Sequence, residues 1–258
     1  MKPYSGCLRN LHYSNNKVSR YLNDTSEMVC YRFNDFGFRK TELELHPSQS
    51  IFICGCSYTF GVGLPIEETW GNIFADQIST NLRQKFGLWN LAQGGASNDY
   101  IARIITTQLH SETPRAVFVM FTFFDRAEHN AAAHVGECIG RWNSHDYAAR
   151  YFSATSNEDA LIRMLKNILL VQLACKSRNV PLRFLCLDLP SLKQLRCSYH
   201  PVIREYATQI DWLLLIECED LDARLSIDFA LDGMHPGVES NRAIGRLVAE
   251  AFIKEIIL

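Results

Sequence analysis

The chain has 258 residues, of which 47% are hydrophobic and 21% are charged. This length and composition allow a full hydrophobic core and exclude a disordered or fibrous protein. The formal net charge is −2, and the basic residues are scattered rather than clustered. The chain therefore lacks the basic patch that nucleic acid or an anionic membrane would require, and we expect a neutral or modestly charged ligand.

Targeting and redox signals favour a cytoplasmic protein. Residues 1–9 lack the apolar core of a signal peptide, and no apolar run approaches the ~20 residues of a membrane span. Nine cysteines are spread over strand-like and helix-like segments, which indicates reduced, mostly buried thiols. Cys54 and Cys56 lie two positions apart, but no second Cys/His pair follows at zinc-finger spacing. We therefore expect no metal.

Strands and helices alternate along the predicted chain. Residues 1–48 are expected to form an N-terminal extension packed on a main domain at 49–258, and 31–39 read as an extended segment broken by a turn. Apolar runs predict strands at 51–54, 88–91, 116–121 and 182–187. Apolar residues at helical spacing predict helices at 67–86, from Ser97 or Asn98 to 109, and at 159–176 and 238–257.

Two regions are less regular. Residues 125–157 are mixed in composition and are expected to form an insertion or lid, while 210–216 fit either a strand or a helix. The alternation as a whole predicts an α/β sandwich with a mainly parallel sheet.

Four polar segments are expected at one edge of that sheet, because ligands bind beyond the carboxyl ends of parallel strands. Ser57 follows the first strand and Gly94–Gly95 follow the second. Residues 122–126 follow the third strand, and Asp232-Gly-Met-His235-Pro precedes the last helix.

These segments contain the parts of a Ser-His-Asp system. A serine hydroxyl needs an imidazole to remove its proton, and a carboxylate to orient that imidazole. Ser57, His235 and Asp232 are the candidates. The backbone N–H groups of Ser57 and Gly95 are candidate donors to an oxyanion, since glycine lets a backbone amide approach a substrate closely.

Each part also has an ordinary structural interpretation. Ser57 can cap a turn, Gly94–Gly95 can permit a bend, and the Asp-Gly and His-Pro pairs are common in turns. The nucleophile elbow of α/β-hydrolases is excluded, because it needs glycine where this chain has Thr59.

Three motifs resemble those of the SGNH (GDSL-type) hydrolase family. They are Gly55-Cys-Ser-Tyr-Thr-Phe-Gly61, Asn90-Leu-Ala-Gln-Gly-Gly95 and Asp232-Gly-Met-His-Pro236, and the segment 34–39 resembles a leader found in some members. The resemblance covers the chain from about residue 31 to its end. It implies a flavodoxin-like three-layer fold and ester hydrolysis through an acyl-serine, without metal or cofactor. It assigns Ser57 as nucleophile and oxyanion donor, Gly95 as second donor, His235 as base and Asp232 as its partner.

One motif departs from the family pattern. After the third strand the family has Gly-x-Asn-Asp, whose amide is a third oxyanion donor, whereas this chain has Thr122-Phe-Phe-Asp125 with Phe124 at the amide position. Losing one such donor costs on the order of 10²–10³ in rate. Possible substitutes are Asn98, Thr122 and Arg126, although Asn98 can instead cap a helix and Arg126 can instead pair with Glu128 on the surface.

The leading functional hypothesis is a serine esterase acting on a small carboxylic ester, with an acetyl ester of a carbohydrate as the expected substrate class. Acyl transfer to a hydroxyl acceptor through the same acyl-serine is an alternative that requires exclusion of water. A binding or assembly protein that has lost catalysis is the third hypothesis, motivated by Phe124. The fold alone does not choose among them.

Overall fold

The computed structural model describes residues 19–22, 28–34, 36–39, 46–129, 137–143, 146–196 and 198–257. Within these ranges the strands, in chain order, are β1 (Ser19–Leu22), β2 (Met28–Tyr31), β3 (Ser50–Cys54), β4 (Gly87–Asn90), β5 (Ala116–Phe121), β6 (Ala127–His129), β7 (Glu137–Ile139) and β8 (Leu182–Cys186).

The central sheet is parallel, with strand order β4-β3-β5-β8. Every residue of β3 and β5 is buried, as expected for strands covered on both faces. The four strands predicted from apolar runs are confirmed to within one residue at either end. This order places β3 in the middle of the sheet, with β4 and β5 on either side.

Nine helices lie in the described ranges. They are α1 (Ser57–Phe60), α2 (Trp70–Leu82), α3 (Asn98–Ser111), α4 (Asp146–Ala154), α5 (Asn157–Ser177), α6 (Leu189–Arg196), α7 (Pro201–Ala207), α8 (Leu221–Leu225) and α9 (Val238–Ile257). The helices α2 and α9 pack against each other, as do α3 and α5. Phe74 of α2 and Phe252 of α9 both contact Phe118 of β5, which fixes one helical layer on the sheet. The architecture is a three-layer α/β/α sandwich, as predicted.

Local backbone geometry explains where helices differ from prediction. The helix expected at 67–86 is shorter, because Thr69 is extended (ψ 148°) and Arg83 is left-handed (φ 49°). A short 3₁₀ turn, Ile66–Glu68, precedes it. The start of α3 agrees with prediction, since the Ser97 side chain accepts a hydrogen bond from the Tyr100 N–H.

The ambiguous segment 210–216 is neither a full strand nor a helix. Trp212–Leu214 form a 3₁₀ turn, and the Asp211 carboxylate accepts from the Leu213 N–H at its start. Leu215 then makes a single parallel bridge with Phe184 of β8. This segment thus adds a single bridge to the edge of the four-stranded sheet.

The N-terminal segment attaches to the edge strand β4. The Asn34 side chain accepts from the N–H groups of Phe36 and Phe38, and Gly37 has φ 78°, so the chain reverses here. Arg39 then makes an antiparallel bridge with Asn90. The turn expected within 31–39 is therefore present, and it brings Arg39 beside the second motif.

The region between β5 and α5 contains regular structure in its described parts. The strands β6 and β7 pair antiparallel, and α4 follows before the capping box of Ser156 and Asp159 starts α5. No helix within the described ranges is both long and apolar enough to cross a bilayer.

Gly245 lies where α9 approaches α2 most tightly. A Cβ at this position would lie 2.8 Å from Ile73 Cγ2 and 2.9 Å from the Trp70 carbonyl oxygen. Gly245→Ala should destabilise the protein by about 1–3 kcal/mol through overpacking, although alanine is the better helix former by ~1 kcal/mol. Urea denaturation measures this change.

Gly94→Ala is the matched control, since its Cβ would meet no described atom within 4 Å. We expect a change within ~0.5 kcal/mol for this variant. A Gly245→Ala protein as stable as wild type would contradict the packing of α2 on α9.

Candidate active site

Ser57 begins α1, three residues after β3 ends at Cys54 and one residue after the extended Cys56. The turn is tight at Gly55, where a Cβ would lie 2.2 Å from Thr59 Oγ1 and 3.1 Å from the Met120 carbonyl oxygen. Glycine is therefore required for β3 and β5 to pack this closely behind the turn. Ser57 retains 8% of its surface exposed, at the carboxyl end of the central strand.

The second motif lies beside the Ser57 turn. Backbone hydrogen bonds from Leu91 N–H to Ile53 O (2.8 Å) and from Gln93 N–H to Gly55 O (3.3 Å) join the two motifs. Gly95 has φ 73°, a conformation that favours glycine. A Cβ on Gly95 would lie 3.5 Å from Trp142 Cζ2. The Trp142 ring therefore lies beside the predicted oxyanion donor.

Asp232 and His235 are in direct contact within one loop. The His235 Nδ1 atom hydrogen bonds to Asp232 Oδ2, and Oδ1 accepts from the N–H groups of His235 (2.9 Å) and Met234 (3.0 Å). The side chain of Asp232 is 3% exposed and that of His235 is 20% exposed. The carboxylate is thus buried behind an accessible imidazole, an arrangement that suits an orienting pair.

Hydrogen bonding keeps the Asp232 carboxyl ionised. Burial raises the pKa of this carboxyl. Hydrogen bonds from the N–H groups of His235 and Met234 and from the imidazole together lower it by more, so the net pKa lies below its usual value. Asp232 is therefore a permanent acceptor for His235 near neutral pH.

The rest of this loop is anchored to α9. Ala230 N–H donates to His235 O at 2.8 Å, and the Asp228 carboxylate accepts from the N–H groups of Glu239 and Ser240 at the start of the helix. This capping satisfies orphan donors of the helix N-terminus. The conformation around Asp232 is therefore tied to the closing helix.

The serine and histidine loops meet at the same edge of the sheet. The rings of Tyr58 and His235 are 5.7 Å apart and nearly perpendicular, and a Cβ on Gly63 would lie 2.9 Å from Ala230 Cβ. Within the described part of the chain no hydrogen bond joins Ser57 Oγ to His235. Catalytic hydrogen bonds are often loose without substrate.

Asn98 is not available to a substrate. Its amide oxygen accepts from the Thr122 N–H at 2.8 Å, and its amide nitrogen donates to the carbonyl oxygens of Thr122 (3.1 Å) and Phe123 (3.5 Å). Asn98 thus fastens the end of β5 to α3. The Thr122 hydroxyl is also fully buried and has no hydrogen-bond partner among the described residues. These contacts contradict both residues as substitute oxyanion donors.

Arg126 does not pair with Glu128, which corrects the surface interpretation. Glu128 is instead held by Arg103, whose Nε lies 2.9 Å from Oε2. The Arg126 guanidinium lies over the rings of Phe123 (5.0 Å) and Trp142 (4.8 Å), and its Nη1 donates to Ala96 O at 3.4 Å. The half-buried cation makes no salt bridge with any described carboxylate.

Two adjoining cavities lie next to this cation. One, of about 240 Å³, is lined by Phe123, Phe124, Asp125, Arg126, Arg141, Trp142 and Asp188. The other, of about 360 Å³, is lined by Asp125, Arg141, Tyr151, Phe152, Thr155, Ser156, Asn157 and Ala160. The Asp125–Arg141 ion pair (2.7 Å) belongs to both linings. Phe124 thus lies at the wall of a cavity rather than wholly in the core.

The sequence did not identify Trp142 as a site residue. It lies in the 125–157 region of mixed composition and has no motif around it. Its position beside Gly95 and under the Arg126 guanidinium places it next to the candidate site. Among the described residues no group of three metal-ligating side chains is positioned to hold a metal ion.

Asp232→Asn tests the charge of the carboxylate. Because the folded-state pKa of Asp232 is lowered, the stability that its ionised form contributes is present above the unfolded pKa of ~3.9 and is lost as pH falls through the folded pKa. We expect a loss of about 1–3 kcal/mol at pH 7 and a smaller difference from wild type at pH 3. Denaturant unfolding at both pH values measures it.

Glu250→Gln changes an exposed carboxylate of α9 and should change stability little at either pH. A loss for Asp232→Asn that is equal at pH 7 and pH 3 would contradict an ionised, stabilising Asp232.

Comparison with known proteins gives structural similarity alone, since no protein-family model matches the chain and the curated proteins give no match. The chain is similar to the psychrotrophic esterase EstA from Pseudoalteromonas sp., with 16% identity and a TM-score of 0.50 over 81% of this chain and 100% of that one. TesA has 12% identity and a TM-score of 0.49 over 79% and 98%. A member of the lipolytic protein G-D-S-L family from Veillonella parvula has 14% identity and a TM-score of 0.45 over 80% and 98%. With its β4-β3-β5-β8 parallel sheet between two helical layers, the chain has the fold of the SGNH (GDSL-type) hydrolases.

Proposed function

We propose that the protein is a serine hydrolase that cleaves a small carboxylic ester, an acetyl ester, through an acyl-serine intermediate. The observation that carries this proposal is the buried Asp232 carboxylate, which holds an accessible His235 imidazole at the sheet edge where Ser57 begins α1. Three side chains with complementary roles in nucleophilic catalysis thus reach one edge from two distant parts of the chain.

In the first half-reaction His235 accepts the Ser57 proton through Nε2 as Ser57 Oγ attacks the ester carbonyl carbon. Asp232 holds the Nδ1 side of the ring and stabilises the imidazolium that forms. The carbonyl oxygen becomes an oxyanion and accepts hydrogen bonds from the N–H groups of Ser57 and Gly95. When the carbonyl re-forms, the C–O bond to the alcohol breaks and His235 returns the proton to the leaving oxygen.

The second half-reaction uses the same groups with water as nucleophile. His235 removes a proton from water, and the hydroxide oxygen attacks the acyl carbon. The bond to Ser57 Oγ then breaks, His235 returns the proton to Oγ, and the carboxylic acid leaves. No redox or metal step is needed to balance either half.

Arg126 is the proposed third hydrogen-bond donor to the oxyanion, in place of the missing asparagine amide. Its Nη1 contacts Ala96 O, next to Gly95, and its guanidinium stacks on the Trp142 ring that lies beside Gly95. Burial raises the pKa of Tyr58, and the Arg126 charge lowers it in part, so the cation acts on the residue that follows Ser57. A guanidinium stays protonated throughout the cycle.

Cavity size and lining suggest the substrate class. The cavity of about 240 Å³ beside Arg126 and Trp142 does not have Ser57 or His235 in its lining, and it adjoins the site through Trp142, which lies beside Gly95. It is smaller than common ligand pockets of roughly 300–1,000 Å³, which favours a small substrate. The adjoining cavity carries Thr155, Ser156 and Asn157 beside Tyr151 and Phe152. Hydroxyl and amide groups next to aromatic rings suit a polyhydroxylated alcohol, so an O-acetylated carbohydrate is the proposed substrate.

A fluorophosphonate probe tests the activated serine. We expect wild-type protein to be labelled and both Ser57→Ala and His235→Ala to be unlabelled, because the probe reacts with a serine whose proton an imidazole removes. Ser153→Ala, which changes an exposed serine of α4, should be labelled like wild type. Well-folded wild-type protein that is not labelled would contradict the proposal and favour a binding protein.

Arg126→Met tests the third donor on p-nitrophenyl acetate. Loss of transition-state stabilisation should lower kcat by about 10²–10³ with a smaller effect on KM. Arg246→Met is the matched control, because Arg246 is an exposed cation of α9 that lines neither cavity. We expect its kcat to stay within a few-fold of wild type. An unchanged kcat for Arg126→Met would remove Arg126 from the oxyanion site.

A further inference from the structure

Arg39 is a buried cation bound to the loop that follows Ser57. Its side chain is 2% exposed, and its guanidinium donates to the carbonyl oxygens of Phe60 (2.6 Å), Gly61 (2.8 Å) and Leu64 (2.5 Å). All three acceptors lie within five residues of chain, from Phe60 at the end of α1 to Leu64. One side chain therefore fixes the course of the whole 60–64 loop.

The charge of Arg39 is not neutralised by a salt bridge to any described carboxylate. Burial lowers the pKa of Arg39 to about 10, and electrostatic interactions with Tyr31 and Glu67 offset part of this lowering. The guanidinium also lies over the rings of Tyr31 (4.6 Å) and Phe60 (5.2 Å). A buried cation is expensive to desolvate, and an apolar residue would fill the same volume at lower cost. Arg39 supplies directed hydrogen bonds to three backbone carbonyls, which an apolar residue could not supply.

The 60–64 loop is linked to Ser57 through a single helical turn. The N–H groups of Gly61 (2.9 Å) and Val62 (3.2 Å) both donate to Ser57 O. The carbonyls that Arg39 holds are therefore at the opposite end of the turn that carries Ser57. With the Phe60, Gly61 and Leu64 carbonyls fixed, the backbone of the turn that carries Ser57 is held in place.

The same loop also contacts the histidine loop. Gly63 donates its N–H to the Tyr31 hydroxyl at 2.7 Å, and a Cβ at Gly63 would lie 2.9 Å from Ala230 Cβ and 3.3 Å from Leu231 N. A shift of the 60–64 loop would therefore move Ser57 and the 230–232 backbone relative to each other.

We propose that Arg39 is a positioning residue for catalysis, which clamps the 60–64 loop so that Ser57 stays aligned with His235 and with the oxyanion donors. This inference rests on the proposed hydrolase function. It gives the N-terminal segment a role in the site through Arg39.

The test compares Arg39→Met and Arg39→Lys with Val29→Ala, which removes buried volume from the cluster that also contains Phe60 but removes no hydrogen bond to the 60–64 backbone, because a valine side chain has no donor. We measure kcat and KM on p-nitrophenyl acetate and the rate of fluorophosphonate labelling, on protein shown to be folded by circular dichroism. Arg39→Met should lower kcat and the labelling rate by about 10- to 100-fold with KM within threefold, since small misplacements of reacting groups cost this much. Arg39→Lys should recover part of the loss, because an ammonium group can reach only some of the three carbonyls.

Val29→Ala should lose thermal stability yet keep kcat within twofold of wild type. If folded Arg39→Met reacts at the wild-type rate, the positioning role is wrong while the hydrolase proposal stands. If Arg39→Met does not fold, the same conclusion follows from folded Arg39→Lys reacting at the wild-type rate. If Val29→Ala loses kcat as much as Arg39→Met, loss of packing explains the effect and the inference fails. If wild type itself is neither labelled nor active, the hydrolase proposal fails and this inference fails with it.

Discussion

The close approach at Gly55 is the constraint on which the site depends. No side chain larger than hydrogen fits between Thr59 Oγ1 and the Met120 carbonyl, so β3 can turn directly into α1 without separating from β5. Ser57 is then fixed at the carboxyl end of the central strand, where loops from neighbouring parallel strands converge. Any widening of this turn would move the serine away from Gly95 and from His235.

Hydrogen bonds from buried side chains to backbone groups support the site. Asn98 binds the end of β5 through the Thr122 N–H and carbonyl, and Asn90 donates to the Thr59 carbonyl at 2.9 Å. Arg39 holds three further carbonyls. Most buried polar groups in proteins are hydrogen bonded, and these three side chains bond to backbone groups of segments around Ser57. The same hydrogen bonds therefore stabilise the fold and fix the site.

Part of this arrangement follows directly from the sequence. The ends of β5 and α9 agree with prediction because a continuous apolar run and a long helical spacing are strong local signals. The short helices α6, α7 and α8 were not predicted, since helices of this length depend on tertiary packing rather than on local pattern. The Asp232–His235 contact could be predicted because both residues lie in one loop.

Contacts between distant segments could not be predicted in this way. Arg126 and Glu128 are reasonable partners from the sequence, because they lie two residues apart in an extended segment. In the structure Glu128 pairs with Arg103 of α3 instead. Similarly, Trp142 beside Gly95 and Arg39 beside Gly61 depend on how separate elements pack. Such contacts between separate elements leave no signal in local sequence spacing, yet they determine which candidate side chains are available for hydrogen bonding.

The central claim is that Ser57 carries the acyl group during turnover. Rapid acid quenching of the protein during hydrolysis of p-nitrophenyl acetate, followed by proteolysis and mass spectrometry, measures this directly. The account predicts one acetyl group on Ser57, formed at a rate compatible with turnover and absent from His235→Ala. Release of p-nitrophenol with no acetyl group on Ser57, or with the acetyl group on a neighbouring thiol such as Cys56, would contradict it.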